Sequence, residues 1–492
     1  MLTKKIKFSR IAGVLSIVIF FSRLAVRLGV FQTAEKEEVL PRTVHSETWK
    51  DREQWMNVLQ NGKKVGYAQR QYFRAGDGYK ITEQVFIQVN TMGMGQDLRF
   101  KTVGHFADDL TLASFNFDLK SSLFQFKAWG IRNGDRLTIF AGTPGSERKT
   151  EIPFDKEVHL PISLLETVNG TLKPGERRTV HVFDPATLAR RPVKVTVVGD
   201  ETISVMGRVE EATKVSVDFM GSSQFAWIGK DGTILREEGS LGMKLEQTTK
   251  KEALNLTNLS AGTDLTELAS IPSKKVILLP QQLRELRVKV EGIEKDELFL
   301  DGGRQSFKEG WIVVRRESLS NLRQIPPDPG ASETTRALLA PTPLIQSDHL
   351  EIRAKATEIT SGATTDLMKA RRLITWVYEN LQKRPVLSVP NALETLHHLV
   401  GDCNEHAVLL AALARAAGIP ADVEAGIVYQ RGRFYYHAWN VLYLGKWVTA
   451  DATVGQMPAD VTHLRFVRGT DHQMDLMGVI GRLRLEEVEG ST

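Results

Sequence analysis

The chain has 492 residues, of which 42% are hydrophobic and 25% are charged. This length exceeds what one ordinary hydrophobic core organises and predicts two to four domains. The formal net charge is +5, but the first 32 residues contain six basic side chains and no acidic one. The rest of the chain therefore carries 58 basic and 59 acidic side chains. This near-neutral balance gives no electrostatic footprint for nucleic-acid binding.

Residues 1–32 have the pattern of a targeting segment. A basic start is followed by an apolar run from Ile11 to Phe21, which has the length of a signal-peptide core. Apolar residues resume after two arginines and continue to Phe31. We expect a signal peptide or an uncleaved signal anchor at about residues 11–31, with the anchor favoured and a buried first helix as the alternative. The basic flank predicts a chain exported to the periplasmic or extracytoplasmic side.

Residues 48–255 predict an antiparallel β-rich domain. Short alternating runs recur at regular spacing with turn residues between them, which is typical of a long meander that curves into a half-barrel. The pair Asn61 and Gly62 between two such runs predicts a two-residue hairpin. A helix is expected near 160–168. The half-barrel could hold an apolar ligand or a partner chain, or be a docking domain with a filled interior.

The second half of the chain changes character twice. Residues 255–275 are polar and mixed and predict a linker, and alternating runs return at 273–325, where we expect a small β module. From about residue 346 the apolar spacing becomes helical, and Thr365 can cap one of these helices. Residues 340–475 are therefore predicted to form a C-terminal α+β domain. The whole chain is expected to be a multidomain α+β protein.

Cys403 is the only cysteine of the chain. It stands just before a run rich in alanine and leucine, which predicts a buried helix ending near Gly418. In an exported chain a lone thiol forms no intrachain disulfide and meets oxidants, so a packing role would be better served by alanine or valine. The first turn of a helix also favours a thiolate and lowers the thiol pKa. These features favour a nucleophile over a buried filler residue.

A nucleophilic thiol needs a base and a group that orients the base. The sequence after the helix predicts three strands, with His437 on the second and Asp451 on the third. A turn of two residues, Gly445 and Lys446, would make Asp451 face away from His437, because side chains alternate along a strand. A turn of three residues that starts at Leu444 would put both side chains on one face. A Cys-His-Asp site therefore predicts an odd-length turn.

Around these residues the chain resembles the transglutaminase-like, papain-like cysteine superfamily. The resemblance covers roughly 340–470. It rests on Gly-Asp-Cys at a helix start, His-Ala-Trp-Asn on one strand and Trp-Val-Thr-Ala-Asp-Ala-Thr on the next. It implies a catalytic triad of Cys403, His437 and Asp451, acyl transfer on peptide or carboxamide bonds, and hydrolysis in preference to cross-linking.

The same resemblance implies a bacterial envelope member with an N-terminal β-rich domain. The β region itself is loosely similar to the open β-barrel domains of envelope proteins. We expect a peptide or protein substrate, a membrane contact through the N-terminal segment, no nucleic acid, and no cofactor or metal. A zinc site at Cys403, His406 and His437 is the metal alternative. A non-catalytic scaffold or ligand carrier is the alternative function.

Overall fold

The computed structural model describes residues 51–76, 78–142, 145, 147–154, 158–168, 172–219, 222–293, 298–319, 333–470, 476 and 479–491. The predicted signal segment at 1–32 lies outside these residues. Within the part of the chain that is described, no helix combines the length and apolar character needed to cross a membrane.

The described residues form 26 strands and eight α-helices. The strands are β1 Arg52–Gln60, β2 Lys63–Ala75, β3 Gly78–Thr91, β4 Met94–Ala107, β5 Leu112–Lys120, β6 Gln125–Asn133, β7 Arg136–Gly142, β8 Arg148–Pro153, β9 Val158–His159, β10 Arg177–Asp184, β11 Ala189–Val205, β12 Arg208–Phe219, β13 Ser222–Gly229, β14 Ile234–Glu238, β15 Met243–Thr248, β16 Ile271–Pro272, β17 Glu285–Glu291, β18 Gln305–Lys308, β19 Trp311–Arg315, β20 Gln382–Lys383, β21 Val400–Gly401, β22 Ala421–Gln430, β23 Arg433–Tyr443, β24 Trp447–Ala450, β25 Leu464–Arg468 and β26 Arg484–Ser491. The helices are α1 Leu164–Val168, α2 Lys250–Leu254, α3 Leu265–Ala269, α4 Glu333–Ala337, α5 Leu350–Thr360, α6 Asp366–Asn380, α7 Ala392–His398 and α8 Cys403–Ala416.

The first fifteen strands form one sheet that curves into a half-barrel. Neighbouring strands are antiparallel from β8 back to β1 and, through the β1–β15 pair, from β15 back to β10. Strand β9 lies parallel to β10 at one edge, and β8 forms the other edge. The sheet therefore stays open between these two edges. The predicted hairpin is confirmed, because Asn61 and Gly62 join β1 to β2 with φ values of 48° and 79°, which suit a two-residue turn.

The buried side chains of the half-barrel come from alternate strand positions, as in β6 and β7. The predicted interruption is confirmed, because a short turn at Pro161–Ser163 leads directly into α1. Met206 and Gly207 adopt positive φ values of 52° and 75° and turn β11 into β12.

A second sheet and the later helices form the C-terminal part of the fold. The sheet has the order β16-β23-β22-β25, and β24 also pairs with β23, at the end of that strand. Helix α8 packs against β22 and β23, and its residues from Glu405 to Arg415 are all buried. The prediction that residues 255–275 are only a linker was incomplete. This segment contains α3 and β16, and β16 joins this sheet by pairing Ile271 with Phe434 of β23.

The remaining described sheets are a four-stranded sheet of order β18-β19-β17-β26 and a parallel pair of β20 and β21. Strands β17 to β19 lie where the small β module was predicted, but β26 comes from the C-terminus and was not predicted. Buried residues of this sheet belong to the same hydrophobic cluster as helix α8. The fold class, a multidomain α+β protein with a half-barrel, is confirmed. The domain boundaries at 48–255, 273–325 and 340–475 stay predictions.

The half-barrel contacts the chain between α6 and α7. Val389 in this segment belongs to a hydrophobic cluster made otherwise of half-barrel residues. Phe124, which follows β5, packs with Val386 and Val400. Its ring also meets the ring of His398 edge-on at 5.3 Å. These contacts lie next to the start of helix α8.

Candidate active site

Cys403 is the first residue of helix α8. Asp402 caps the helix, a position where aspartate is favoured, and accepts the Asn404 N–H at 2.8 Å. The Glu405 carboxylate folds back and accepts the Asp402 N–H at 3.0 Å, which completes a capping box. A Cβ added at Gly401 would lie 2.3 Å from Cβ of Glu405. Glycine at this position therefore makes room for the helix start that carries the thiol.

The turn between β23 and β24 has the odd length that the site requires. Tyr443 pairs with Trp447, so three residues lie between the paired positions. Asn440 pairs with Ala450, and the next positions along the strands bring Asp451 onto the face of His437. The Nε2 atom of His437 is 2.7 Å from Oδ2 of Asp451. The register predicted for a Cys-His-Asp site is therefore confirmed.

His437 also contacts the thiol. The side chains of His437 and Cys403 interact, and each shifts the pKa of the other. Because Nε2 faces Asp451, this contact falls to the other ring nitrogen, Nδ1. The structure thus brings together all three residues that the sequence singled out, on a helix start and two adjacent strands. Asp451 is 1% exposed, so water does not screen the imidazole–carboxylate pair.

The electrostatics of the site differ from the sequence prediction in one respect. Burial opposes a charge on His437, but Asp451 and Cys403 outweigh it and raise the pKa of His437 to about 10. Burial and the adjacent Asp402 carboxylate raise the pKa of the Cys403 thiol, and His437 opposes that rise without cancelling it. The prediction of a lowered thiol pKa was therefore wrong. The helix terminus favours thiolate, but burial and a neighbouring anion dominate.

A buried network fixes the strand that carries His437. The indole N–H of Trp439 donates to Glu424 at 3.0 Å, and Glu424 also binds Arg465 and Arg468. Trp439 is 1% exposed, so it is a core residue. The side chain of Asn440 donates to the Ala407 carbonyl of α8 at 2.8 Å. This last bond ties the histidine strand directly to the cysteine helix.

Sequence reasoning missed His463. Its Nε2 atom lies 3.0 Å from Oδ2 of Asp451, and His463 is 1% exposed. Within the described residues, the group of side chains close enough to share a metal ion is His437, Asp451 and His463. This group differs from the zinc alternative of Cys403, His406 and His437. His406 is buried instead at the helix start, where its Nδ1 is 2.6 Å from the Asp402 carbonyl oxygen.

A thiol at a helix start, with an imidazole and a carboxylate from adjacent strands, is the arrangement of enzymes that work through a nucleophilic cysteine. The family model described as the transglutaminase-like superfamily matches residues 353–452. This stretch of the chain is therefore a transglutaminase-like domain, and it contains Cys403, His437 and Asp451. The family and the site together support a cysteine-dependent enzyme. Comparison with curated proteins gives no match.

Several solved bacterial structures are partly similar to this chain. A provisionally named cysteine protease from Cytophaga hutchinsonii is 15% identical with a TM-score of 0.29, over 43% of this chain and 83% of its own. A β-barrel-like protein of unknown function from Brucella abortus is 10% identical with a TM-score of 0.33, over 40% and 96%. The periplasmic domain of TgpA from Pseudomonas aeruginosa is 17% identical with a TM-score of 0.25, over 39% and 88%. Likenesses this weak carry no functional conclusion.

Proposed function

We propose that this chain is a thiol-dependent acyl-transfer enzyme that hydrolyses peptide or carboxamide bonds. The observation that carries the proposal is the position of His437, which interacts with the Cys403 thiol and lies 2.7 Å from the buried Asp451 carboxylate. A nucleophile, a base and an orienting acid in this order are what such chemistry requires. The family match over residues 353–452 supports the same class of reaction.

In the first half of the reaction, His437 holds the proton given up by the thiol, as its pKa of about 10 favours, and the Cys403 thiolate attacks the substrate carbonyl carbon. A sulfur–carbon bond forms, and the carbonyl electron pair moves onto oxygen. The backbone N–H of Cys403, at a helix start where such groups have no partner inside the helix, supports this oxyanion. The carbon–nitrogen bond then breaks, and the amine leaves with the proton held by His437. Asp451 keeps the ring oriented and stabilises its charge.

In the second half, water attacks the thioester and His437 receives its proton. The carbon–sulfur bond breaks, the acid product leaves and the thiol is restored. An amine in place of water would give cross-linking, and we propose water because of the family resemblance. The proposed setting is the extracytoplasmic side, with a peptide or protein substrate and a membrane contact through residues 11–31. The basic and apolar pattern of the first 32 residues supports this setting.

The test uses the fact that the chain has one cysteine. Iodoacetamide labelling of the full-length chain across pH should give a single alkylation profile, and His437→Ala should slow it. Cleavage of amide bonds in envelope peptide and protein extracts should fall by about 10³-fold or more in Cys403→Ala. Cys403→Ser should lose cleavage as Cys403→Ala does, and His397→Gln, a variant of an exposed histidine, is the control. Equal cleavage by the wild-type chain and Cys403→Ala would refute the proposal.

The half-barrel supports a second candidate function, that of a carrier for a small ligand. Its interior holds a cavity of about 190 Å³ beside α1. Arg70 lines the cavity and donates to Glu83 at 2.6 Å and to Glu237 at 3.3 Å. The remaining wall is mainly apolar and includes Ile162, Leu164, Leu165, Val182, Val193, Val217 and Ile234. The two carboxylates, of Glu83 and Glu237, outnumber the one guanidinium, of Arg70, so the cavity favours a cation. Its apolar wall favours a cation with an apolar part.

Hexylammonium is a suitable probe for this candidate, since a cavity of roughly 150 Å³ accepts a benzene-sized molecule. We expect it to raise the thermal unfolding midpoint of the chain more than hexanoate does. Val217→Trp, which fills the cavity, should abolish the difference. Equal effects of both probes on the wild-type chain would exclude this reading of the half-barrel.

A further inference from the structure

The Asp451 carboxylate is shared by two histidines. The Nε2 atom of His463 lies 3.0 Å from Oδ2 of Asp451, and the Nε2 atom of His437 lies 2.7 Å from the same oxygen. The other oxygen, Oδ1, accepts the Thr453 N–H at 2.8 Å. Asp451 and His463 are each 1% exposed. The carboxylate is therefore oriented by protein groups on both of its oxygens.

Both ring nitrogens of His463 face acceptors. The Nδ1 atom is 3.2 Å from the carbonyl oxygen of Asp460 and 3.4 Å from its Oδ1, while Nε2 faces Asp451. A neutral imidazole carries hydrogen on one nitrogen and an imidazolium on both, so the surroundings favour the charged ring. Burial opposes the charge, but hydrogen bonds to Asp451 and Asp460 raise the pKa of His463 to about 9. At neutral pH His463 is a buried cation.

The backbone beside His463 is closely constrained. Strand β25 starts at the next residue and pairs with β22, where Gly426 stands opposite Arg465. A Cβ added at Gly426 would lie 1.9 Å from the Leu464 carbonyl oxygen, so only glycine allows this approach. The His463 ring also meets Trp439 edge-on at 5.1 Å. The ring is thus fixed by its neighbours on β23 as well as by its two acceptors.

We propose that His463 is a positioning residue, a buried cation that holds the Asp451 carboxylate towards His437 and offsets part of its charge. The inference rests on the proposed acyl-transfer function, because what His463 sets is how readily His437 releases its proton to the leaving amine. The charged and titratable groups facing this cluster are Cys403, His406, His437, Asp451 and Asp460, with Arg304 interacting with Asp460. Charges buried together interact more strongly than charges in water.

The test separates the charge of His463 from its hydrogen bond. His463→Gln keeps an N–H that can reach Asp451 but removes the positive charge, whereas His463→Ala removes both. We expect the pKa of His437 to rise in the Gln variant by about one unit, because the facing carboxylate is no longer offset. The readout is NMR of ¹³C-labelled histidine in the full-length chain, with His437→Ala assigning the signal. The alkaline limb of the cleavage rate should move upwards in pH with it.

His463→Asn provides a second neutral variant if the Ala protein does not fold. An unchanged pKa of His437 in the Gln and Asn variants, with the chain folded, would overturn the proposal. So would a divalent metal that stays bound through purification and whose removal by EDTA shifts the His437 titration, because His437, Asp451 and His463 would then be its ligands. The NMR titration and the EDTA test need no substrate. A chain that cleaves no amide but shows the shift would refute the proposed function and leave the electrostatic role of His463 standing.

Discussion

The charge on His437 depends on a few side chains at fixed distances. Asp451 lies 2.7 Å away, and with Cys403 it raises the pKa of His437 to about 10 against the effect of burial. The raised pKa of His437 favours its charged form. Burial and Asp402 raise the pKa of the Cys403 thiol and therefore favour its neutral form. The site therefore holds a strongly basic imidazole beside a thiol that does not ionise easily by itself. Reactivity depends on proton transfer between the two.

Replacing Asp451 with Asn tests this dependence. The variant keeps the size of the side chain and loses the charge, so we expect the pKa of His437 to fall and the cleavage rate to drop by about 10⁴-fold. The measurement is the pH profile of cleavage, whose alkaline limb should move to lower pH. Asp218→Asn, at a half-buried position of β12 in the half-barrel, is the matched control. An unchanged profile would show that Asp451 does not charge His437.

The same histidines predict how stability depends on pH. The pKa values of His437 and His463 are raised from 6.5 to about 10 and about 9. A raised value means that the folded state binds the proton more tightly, so the stabilisation is complete below pH 6.5 and is lost as pH rises through 9 and 10. Denaturant unfolding between pH 6.5 and 10 should show this decline. It should be shallower in His463→Gln than in His397→Gln, and equal slopes would contradict the assignment.

At the scale of elements, the start of helix α8 combines two opposing effects on the thiol. Asp402 caps the helix and therefore stabilises the segment that carries Cys403. The same carboxylate raises the pKa of that thiol. The cap and the charge are separable, because serine caps helices about as well as aspartate and is neutral.

Asp402→Ser should therefore lower the pKa of Cys403 and leave the stability of the chain nearly unchanged. Asp402→Ala should also lower this pKa but cost about 1 kcal/mol of unfolding free energy. The pH dependence of iodoacetamide alkylation measures the first quantity, and denaturant unfolding measures the second. An alkylation profile that does not move in either variant would mean that the Asp402 charge does not reach the thiol.

Elements that depend on local pattern could be predicted, and those that depend on distant pairing could not. Helix α8, its cap and the three-residue turn before β24 follow from nearby residues. His463 reaches Asp451 only because β25 pairs with β22 at Gly426. No residue spacing in the sequence predicts that pairing. The direction of the Cys403 pKa was missed for the same reason, since burial is a property of the packed site.

At the scale of the whole molecule, the C-terminal strand shares its core with the transglutaminase-like domain. Strand β26 pairs with β17, and Val288 stands opposite Val488, about 200 residues apart in the chain. Leu485 and Val488 are buried in the cluster that includes Leu409 of α8. The alternating pattern of a short terminal segment does not by itself indicate such a partner, which is why β26 was not predicted.

Leu485→Ala should destabilise the chain by about 2–5 kcal/mol, because it leaves a cavity in this shared core. Glu487→Ala, two positions along the same strand and exposed, should stay within about 0.5 kcal/mol of the wild type. Denaturant unfolding followed by alkylation of Cys403 reports on the core around α8. A loss of stability confined to the four-stranded sheet that contains β26, with Cys403 as well protected from alkylation as before, would contradict the shared core.

The segment between α6 and α7 is held from two directions. Val389 packs among half-barrel residues, while the hydroxyl of the preceding Ser388 donates to Glu405 at the start of α8. A shortened chain that keeps residues 340–475 and omits the half-barrel would leave Val389 and its neighbours in water on one side of the reactive sulfur. Attempts to excise a minimal enzyme from this chain should therefore keep the half-barrel or replace that wall with polar substitutions.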